Sequence, residues 1–151
     1  MPDIKLHHFF APCPRGLESV LAAELKKLGG LSIQTNDGGV KFQGSWHTCY
    51  RINLESRIAS RILWQITKKP YIDETDIYKI SHAFPWNEWI SSTNTIRVNV
   101  AAKKCPLRSL EFVTLRIKDA VCDKFRELTN KRPSINTVNP DIRIHGFLDA
   151  R

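Results

Sequence analysis

The chain is short of the residues that most cofactor sites are built from. It has seven glycines in 151 residues, and the two glycine pairs, Gly29–Gly30 and Gly38–Gly39, read as a helix stop and a hairpin turn. No glycine-rich loop is left between a strand and a helix. The four cysteines (13, 49, 105 and 122) are scattered, with no C-x-x-C pair and no paired histidine spacing. This excludes the common zinc patterns and favours buried free thiols. No Ser/His/Asp or Cys/His order suggests a nucleophile, and His7, His8 and His47 fall where surface or capping roles are expected. No run approaches the ~20 apolar residues of a membrane span. The opening MPDIKLHHFF lacks the apolar core of a signal peptide, so the expected location is the cytosol. Internal repeats and low-complexity segments are absent as well.

Positive charge is abundant. The formal net charge is +8 and the pI is near 9.5, which points to a polyanionic partner, with a solvated basic surface as the alternative. Between Thr95 and Pro133 ten lysines and arginines face four acids, a net +6. That stretch reads as strand, basic loop and long helix. Ile96, Val98 and Val100 alternate with Arg97 and Asn99, the period of a half-buried strand. Lys103, Lys104 and Cys105–Pro106 interrupt it. From Ser109, a candidate N-cap, the residues Leu110, Val113, Ile117, Ala120, Val121, Phe125 and Leu128 form one helical stripe, stopped by Lys131, Arg132 and Pro133.

Before it, Leu6 to Phe10 reads as a strand and Leu17 to Leu28 as a helix. Ser32–Thr35 and Val40–Gln43 form a hairpin around Asn36-Asp37-Gly38-Gly39. Ser45 caps a helix bearing Trp46, Tyr50 and Leu54, and Ile62, Trp64 and Ile66 alternate in a further strand. This βαββαβ order predicts a ferredoxin-like domain over residues 1–69. Lys68 to Tyr71 reads as a linker, followed by a short helix over Asp73–His82 and a turn carrying Trp86 and Trp89, whose expected role is core packing. Ser134–Asn139 reads as loop and Asp141–Leu148 as a strand parallel to the first through the helical crossover. Residues 70–151 thus form an α/β unit with two evident strands, a marginal sheet, so the domain is expected to be incomplete and more protein to follow Arg151.

Five stretches in order carry a resemblance: FFAPCPRGLESVLAAEL (9–25), GVKFQGSWHTCYRINLESRIASRIL (39–63), RIKDAVCDKFRE (116–127), the Arg132–Pro133 pair and NPDIRIHGFLD (139–149). Together they resemble the N-terminal part of the bacterial large-subunit rRNA guanine-N2 methyltransferases, some of whose relatives carry the label of adenine-specific DNA methylases. The resemblance implies an α+β chain, a ferredoxin-like domain followed by a THUMP RNA-binding domain, with the catalytic methyltransferase domain outside it. It also implies structured RNA, most of all large-subunit rRNA, as partner, and S-adenosylmethionine as cofactor of the missing domain. The chain departs from the enzyme pattern in lacking both the glycine-rich loop and the Asn/Asp-Pro-Pro-aromatic motif; Asn139-Pro140-Asp141 lacks the second proline and the ring. No catalytic, cofactor-binding or metal residue is therefore expected within it.

Lys103, Lys104 and Arg108 on the strand-to-helix loop, with Lys131 and Arg132 at the other helix end, are the expected RNA contacts. Lys118 at the edge of the stripe could reach the same ligand or pair with Glu111 or Asp119. Arg97 and Arg143 are secondary candidates. Asp119 and Asp123 mimic a metal pair, but exposed helix carboxylates beside lysines are the ordinary reading. With no aromatic-rich strand in view, recognition is expected to rest on RNA shape and backbone. A THUMP module of a tRNA-modifying enzyme and a basic surface for an acidic protein are the competing readings.

Overall fold

Alternating apolar residues and strong turn signals set the first half. The computed structural model describes residues 4–150, in two units that divide between Ile66 and Thr67. In the first, β1 (His7–Pro12) leads through a proline-rich loop to α1 (Glu18–Lys27). The hairpin of β2 (Leu31–Asn36) and β3 (Gly39–Gly44) follows, then α2 (Trp46–Glu55) and β4 (Leu63–Trp64). The sheet order β2-β3-β1-β4, antiparallel at each pairing, is that of a ferredoxin-like fold. Ser45 caps α2, its Oγ accepting from the Thr48 N–H at 3.2 Å. Glu18 holds the loop before α1 against the hairpin turn, its carboxylate accepting from the N–H groups of Gly16 (2.8 Å) and Gly38 (3.1 Å). Backbone N–H bonds, from its own residue and from Gly38, lower its pKa.

The inward residues of β1 and β3 meet one face of each helix: Phe9, Ala11, Val40 and Phe42 are buried with Leu21, Leu25 and Ile52. Phe9 stacks on Phe42 with centroids 5.3 Å apart, and Trp46 packs edge-on against Phe9 and Trp64 at 5.7 and 4.9 Å. His7 lies 4.8 Å from the Trp46 ring, and burial holds its pKa below the ordinary histidine value. The expected last strand shrinks to two residues, since only Phe9 and Phe10 of β1 pair with it. Gly39 is required by close approach: a Cβ there would lie 2.4 Å from the Phe10 ring and 2.7 Å from the Ala11 carbonyl oxygen.

In the second unit α3 (Glu74–Ala83), capped by Asp73, precedes a 3₁₀ turn at Trp86–Glu88, then β5 (Thr95–Ala102) and α4 (Leu110–Thr129). Ser109 caps α4 through the Phe112 N–H at 3.1 Å. The helix stops one residue earlier than expected, at Asn130, whose left-handed backbone (φ 56°) closes the last turn. The Ser134–Asn139 stretch is not all loop. Ser134–Ile135 is a short strand, β6, parallel to β5, and β7 (Ile142–Leu148) runs parallel on the other side, giving three strands in the order β6-β5-β7.

The buried stripe of α4 is Val113, Ile117, Ala120, Val121 and Phe125, packed with Ile96, Ile144 and Leu148 in the unit's interior. Leu110 and Leu128, assigned to the stripe by periodicity, are exposed because they sit on the terminal turns. Trp86 is buried and donates its indole N–H to the Ser81 carbonyl at 2.8 Å, whereas Trp89 is half exposed. Cys13, Cys49 and Cys122 are buried thiols, while Cys105 is only partly covered in its loop.

Candidate nucleic-acid interface

The crossover from β5 through α4 to β7 decides where the cations fall. At the end of β5 the Lys103 N–H donates to the Leu148 carbonyl at 2.8 Å, tying the loop to β7. Lys104 adopts a left-handed backbone (φ 56°), an uncommon conformation for a residue with a Cβ, and the chain turns there. Cys105 Sγ, just beyond, accepts from the Tyr71 hydroxyl at 3.3 Å and the Leu107 N–H at 3.4 Å. The single Tyr71 proton is shared with the Asp149 carbonyl, and burial, reinforced by Cys105, pushes its pKa up to about 12. Lys103, Lys104 and Arg108 are exposed on this braced loop, beside the N-terminal, positive end of the α4 dipole. Asp149 lines the same shallow hollow as the two lysines.

Lys131 and Arg132 are exposed past Asn130, at the opposite end of α4. A 20-residue helix is about 30 Å long, so the expected contacts form two basic groups at its ends rather than one cluster. Lys118 joins neither. Its ammonium lies 3.2 Å from Asp119, the intrahelical alternative, with 28% of the side chain exposed. Arg97 and Arg143 are brought together, being paired positions of β5 and β7. Arg97 donates to the Thr137 carbonyl at 2.7 Å, and Arg143 is exposed.

The carboxylates that could have formed a metal pair are taken. Asp123 accepts from the Tyr78 hydroxyl at 2.6 Å and from Arg126 at 3.1 Å, and Asp119 faces Lys118. The bond to Asp123, with burial second, pushes the Tyr78 pKa up to about 12. The Arg116 guanidinium lies 4.4 Å from the Tyr78 ring centre, and His82 Nε2 is 2.9 Å from Glu127. This α3–α4 clasp was invisible in the sequence, where Tyr78 and Asp123 stand 45 residues apart. No group of three or more potential metal ligands occurs among the described residues. S-adenosylmethionine does not fit these residues either. Among the described residues the crossover from β5 through α4 to the parallel strands β6 and β7 turns through 103–109, a loop without glycine.

The architecture is thus a ferredoxin-like sandwich followed by an α/β unit with a parallel ladder. The chain belongs to the THUMP domain family, whose model matches residues 71–151, while the RlmL ferredoxin-like domain matches residues 8–63. It is 41% identical over 141 residues to the ribosomal RNA large subunit methyltransferase K/L of Syntrophotalea carbinolica (strain DSM 2380 / NBRC 103641 / GraBd1), an alignment covering 93% of this chain and 20% of that protein. The chain spans about a fifth of the length of the curated relatives it matches. In fold it is similar to SMU.472 complexed with SAH (TM-score 0.80, 23% identity, 95% of this chain and 39% of that one). It is also similar to a predicted N6-adenine-specific DNA methylase of Listeria monocytogenes str. 4b F2365 (TM-score 0.79, 20% identity, 95% of this chain and 38% of that one). Among the described residues no helix is long and apolar enough to cross a membrane.

Proposed function

We propose that this chain is the RNA-docking part of an S-adenosylmethionine-dependent large-subunit rRNA (guanine-N2) methyltransferase acting in the cytoplasm. Residues 1–69 serve as its ferredoxin-like domain and residues 70–151 as its THUMP domain. The observation that carries the reading is the 41% identity to a large subunit methyltransferase K/L across both units. Methyl transfer belongs to residues outside this chain, since neither a cofactor loop nor a base-clamping motif is present in it.

Lys103, Lys104 and Arg108 grip backbone phosphates at one end of α4, and Lys131 and Arg132 do so at the other. Lysine ammonium groups on an exposed loop reach phosphate without leaving water, and release of condensed counterions supplies the affinity. Two groups about 30 Å apart suit a folded RNA that spans both. Arg97 and Arg143 contribute from the sheet, while Lys118, held by Asp119, contributes least. The test is filter binding of folded large-subunit rRNA fragments, with tRNA and poly-glutamate as competitors. Preferential retention of an rRNA fragment is expected. Preference for tRNA would move the chain to a tRNA-modifying enzyme, and displacement by poly-glutamate alone would make it a protein-interaction surface.

A further inference from the structure

We propose that the outer face of the β5–β7 ladder seats an unpaired RNA strand, Phe147 stacking a base while Arg97 and Arg143 hold phosphate; this rests on the RNA-docking reading above. Strand parity makes the face. Ile96 on β5 and Ile144 and Leu148 on β7 are buried, so Arg97, Asn99 and Ala101 point the other way, as do Arg143, His145 and Phe147. The register sets Arg97 beside Arg143, Asn99 beside His145 and Ala101 beside Phe147.

Three features of this row point to a ligand. First, like charges at directly paired positions weaken a ladder, yet two arginines stand side by side, and Arg143 has no acidic partner among the described residues. Two neighbouring guanidiniums match the oxygens of a phosphate. Second, Phe147 is 68% exposed, and its neighbour Ala101 is too small to cover the ring. Third, the interior of the row carries no acid. Asp141 lies before it, its carboxylate held by the Thr95 N–H at 2.8 Å, and Asp149 lies beyond it.

The five residues from Arg143 to Phe147, four rises apart end to end, cover about 13 Å of strand, enough for a short extended run of nucleotides. The ligand is single-stranded because a duplex keeps its base faces stacked internally, leaving an isolated ring nothing flat to meet. It is a nucleic acid rather than an acidic peptide because the row joins an aromatic ring to its cations. An aromatic-rich strand is not needed: one exposed ring in the same row as two arginines suffices for a single base.

The experiment uses the 151-residue chain with a single-stranded adenosine octamer carrying one 2-aminopurine, and a blunt RNA duplex of equal length. Wild type should bind the octamer with a change in 2-aminopurine fluorescence. Phe147→Ala should weaken that binding by roughly 5- to 150-fold and abolish the change, whereas Phe147→Tyr should keep both. Arg143→Ala should lower the salt slope for the octamer by about 0.7. Duplex binding should be indifferent to Phe147→Ala and sensitive to the combined alanine substitution of Lys103, Lys104 and Arg108. Octamer binding unchanged in Phe147→Ala overturns the proposal, as does a wild type that binds the duplex but not the octamer; both leave the docking reading standing. A wild type that binds neither RNA overturns both.

Discussion

The two units hold their helices by different means: in the first both helices lie on the sheet, and in the second α3 packs on α4 and α4 on β5. The first uses apolar and aromatic contact: Phe9, Phe42, Trp46 and Trp64 nest around its core. The second adds a polar clasp between α3 and α4, in which Tyr78 bonds Asp123 while Arg116 lies over its ring, and His82 meets Glu127. The clasp joins the two helices through carboxylates of α4, Asp123 also pairing with Arg126 on its own helix. The loop and helix-end cations Lys103, Lys104, Arg108, Lys131 and Arg132 stand at the surface outside it. The difference teaches that an aromatic nest secures the first unit, whereas helix-to-helix polar contacts add to apolar packing in the second.

The largest effect that sharpens this contrast lies in the first unit. Phe42→Ala removes a fully buried ring from the aromatic nest and should destabilise that unit by about 3–5 kcal/mol. Residue-resolved amide hydrogen exchange checks it. Loss of protection should stay within 4–66, and equal loss in α4 would mean that the two cores do not stand separately.

A smaller effect belongs to the clasp. Tyr78→Phe deletes the hydroxyl on Asp123 and should cost about 1 kcal/mol, because the site is only part-buried and water can replace the bond. The pH dependence has a definite sign. A tyrosine held protonated to about pH 12 in the fold, but titrating near 10 when unfolded, contributes stability that is complete below pH 10 and is lost as pH rises towards 12. Urea unfolding at pH 8 and 11 should therefore show Tyr78→Phe losing less over that interval than wild type. Tyr71, raised to about 12 as well, keeps a residual alkaline loss in the variant.

Much of this was readable in advance, for identifiable reasons. The βαββαβ order, the hairpin at Asp37–Gly38, the caps at Ser45 and Ser109 and the parallel return of β7 follow from periodicity and local turn chemistry. What escaped depends on distant partners. β6 is two residues long and exists only because Thr95 and Ile96 offer it a ladder. The Tyr78–Asp123 bond joins different helices. The positions of the candidate cations at the two ends of α4 were legible, because the apolar stripe from Leu110 to Leu128 separates the basic loop from Lys131 and Arg132. The pairing of Arg97 with Arg143, and the exposure of Phe147 beyond them, required the register of β5 against β7.

The smallest expected change in stability carries the central claim. Replacing Lys103, Lys104 and Arg108 by alanine touches only exposed side chains and should move stability by no more than about 0.5 kcal/mol. Its effect on RNA binding should be large. The decisive measurement is the dependence of log K on log salt for a folded large-subunit rRNA fragment, in wild type and in this triple variant, with circular dichroism as the folding check. Each lost phosphate contact removes roughly 0.7–0.9 from the slope, so the variant should be flatter by about two to three units and weaker on many RNA sequences alike. An unchanged slope in a folded variant would contradict the account, placing the phosphate contacts away from the β5–α4 loop.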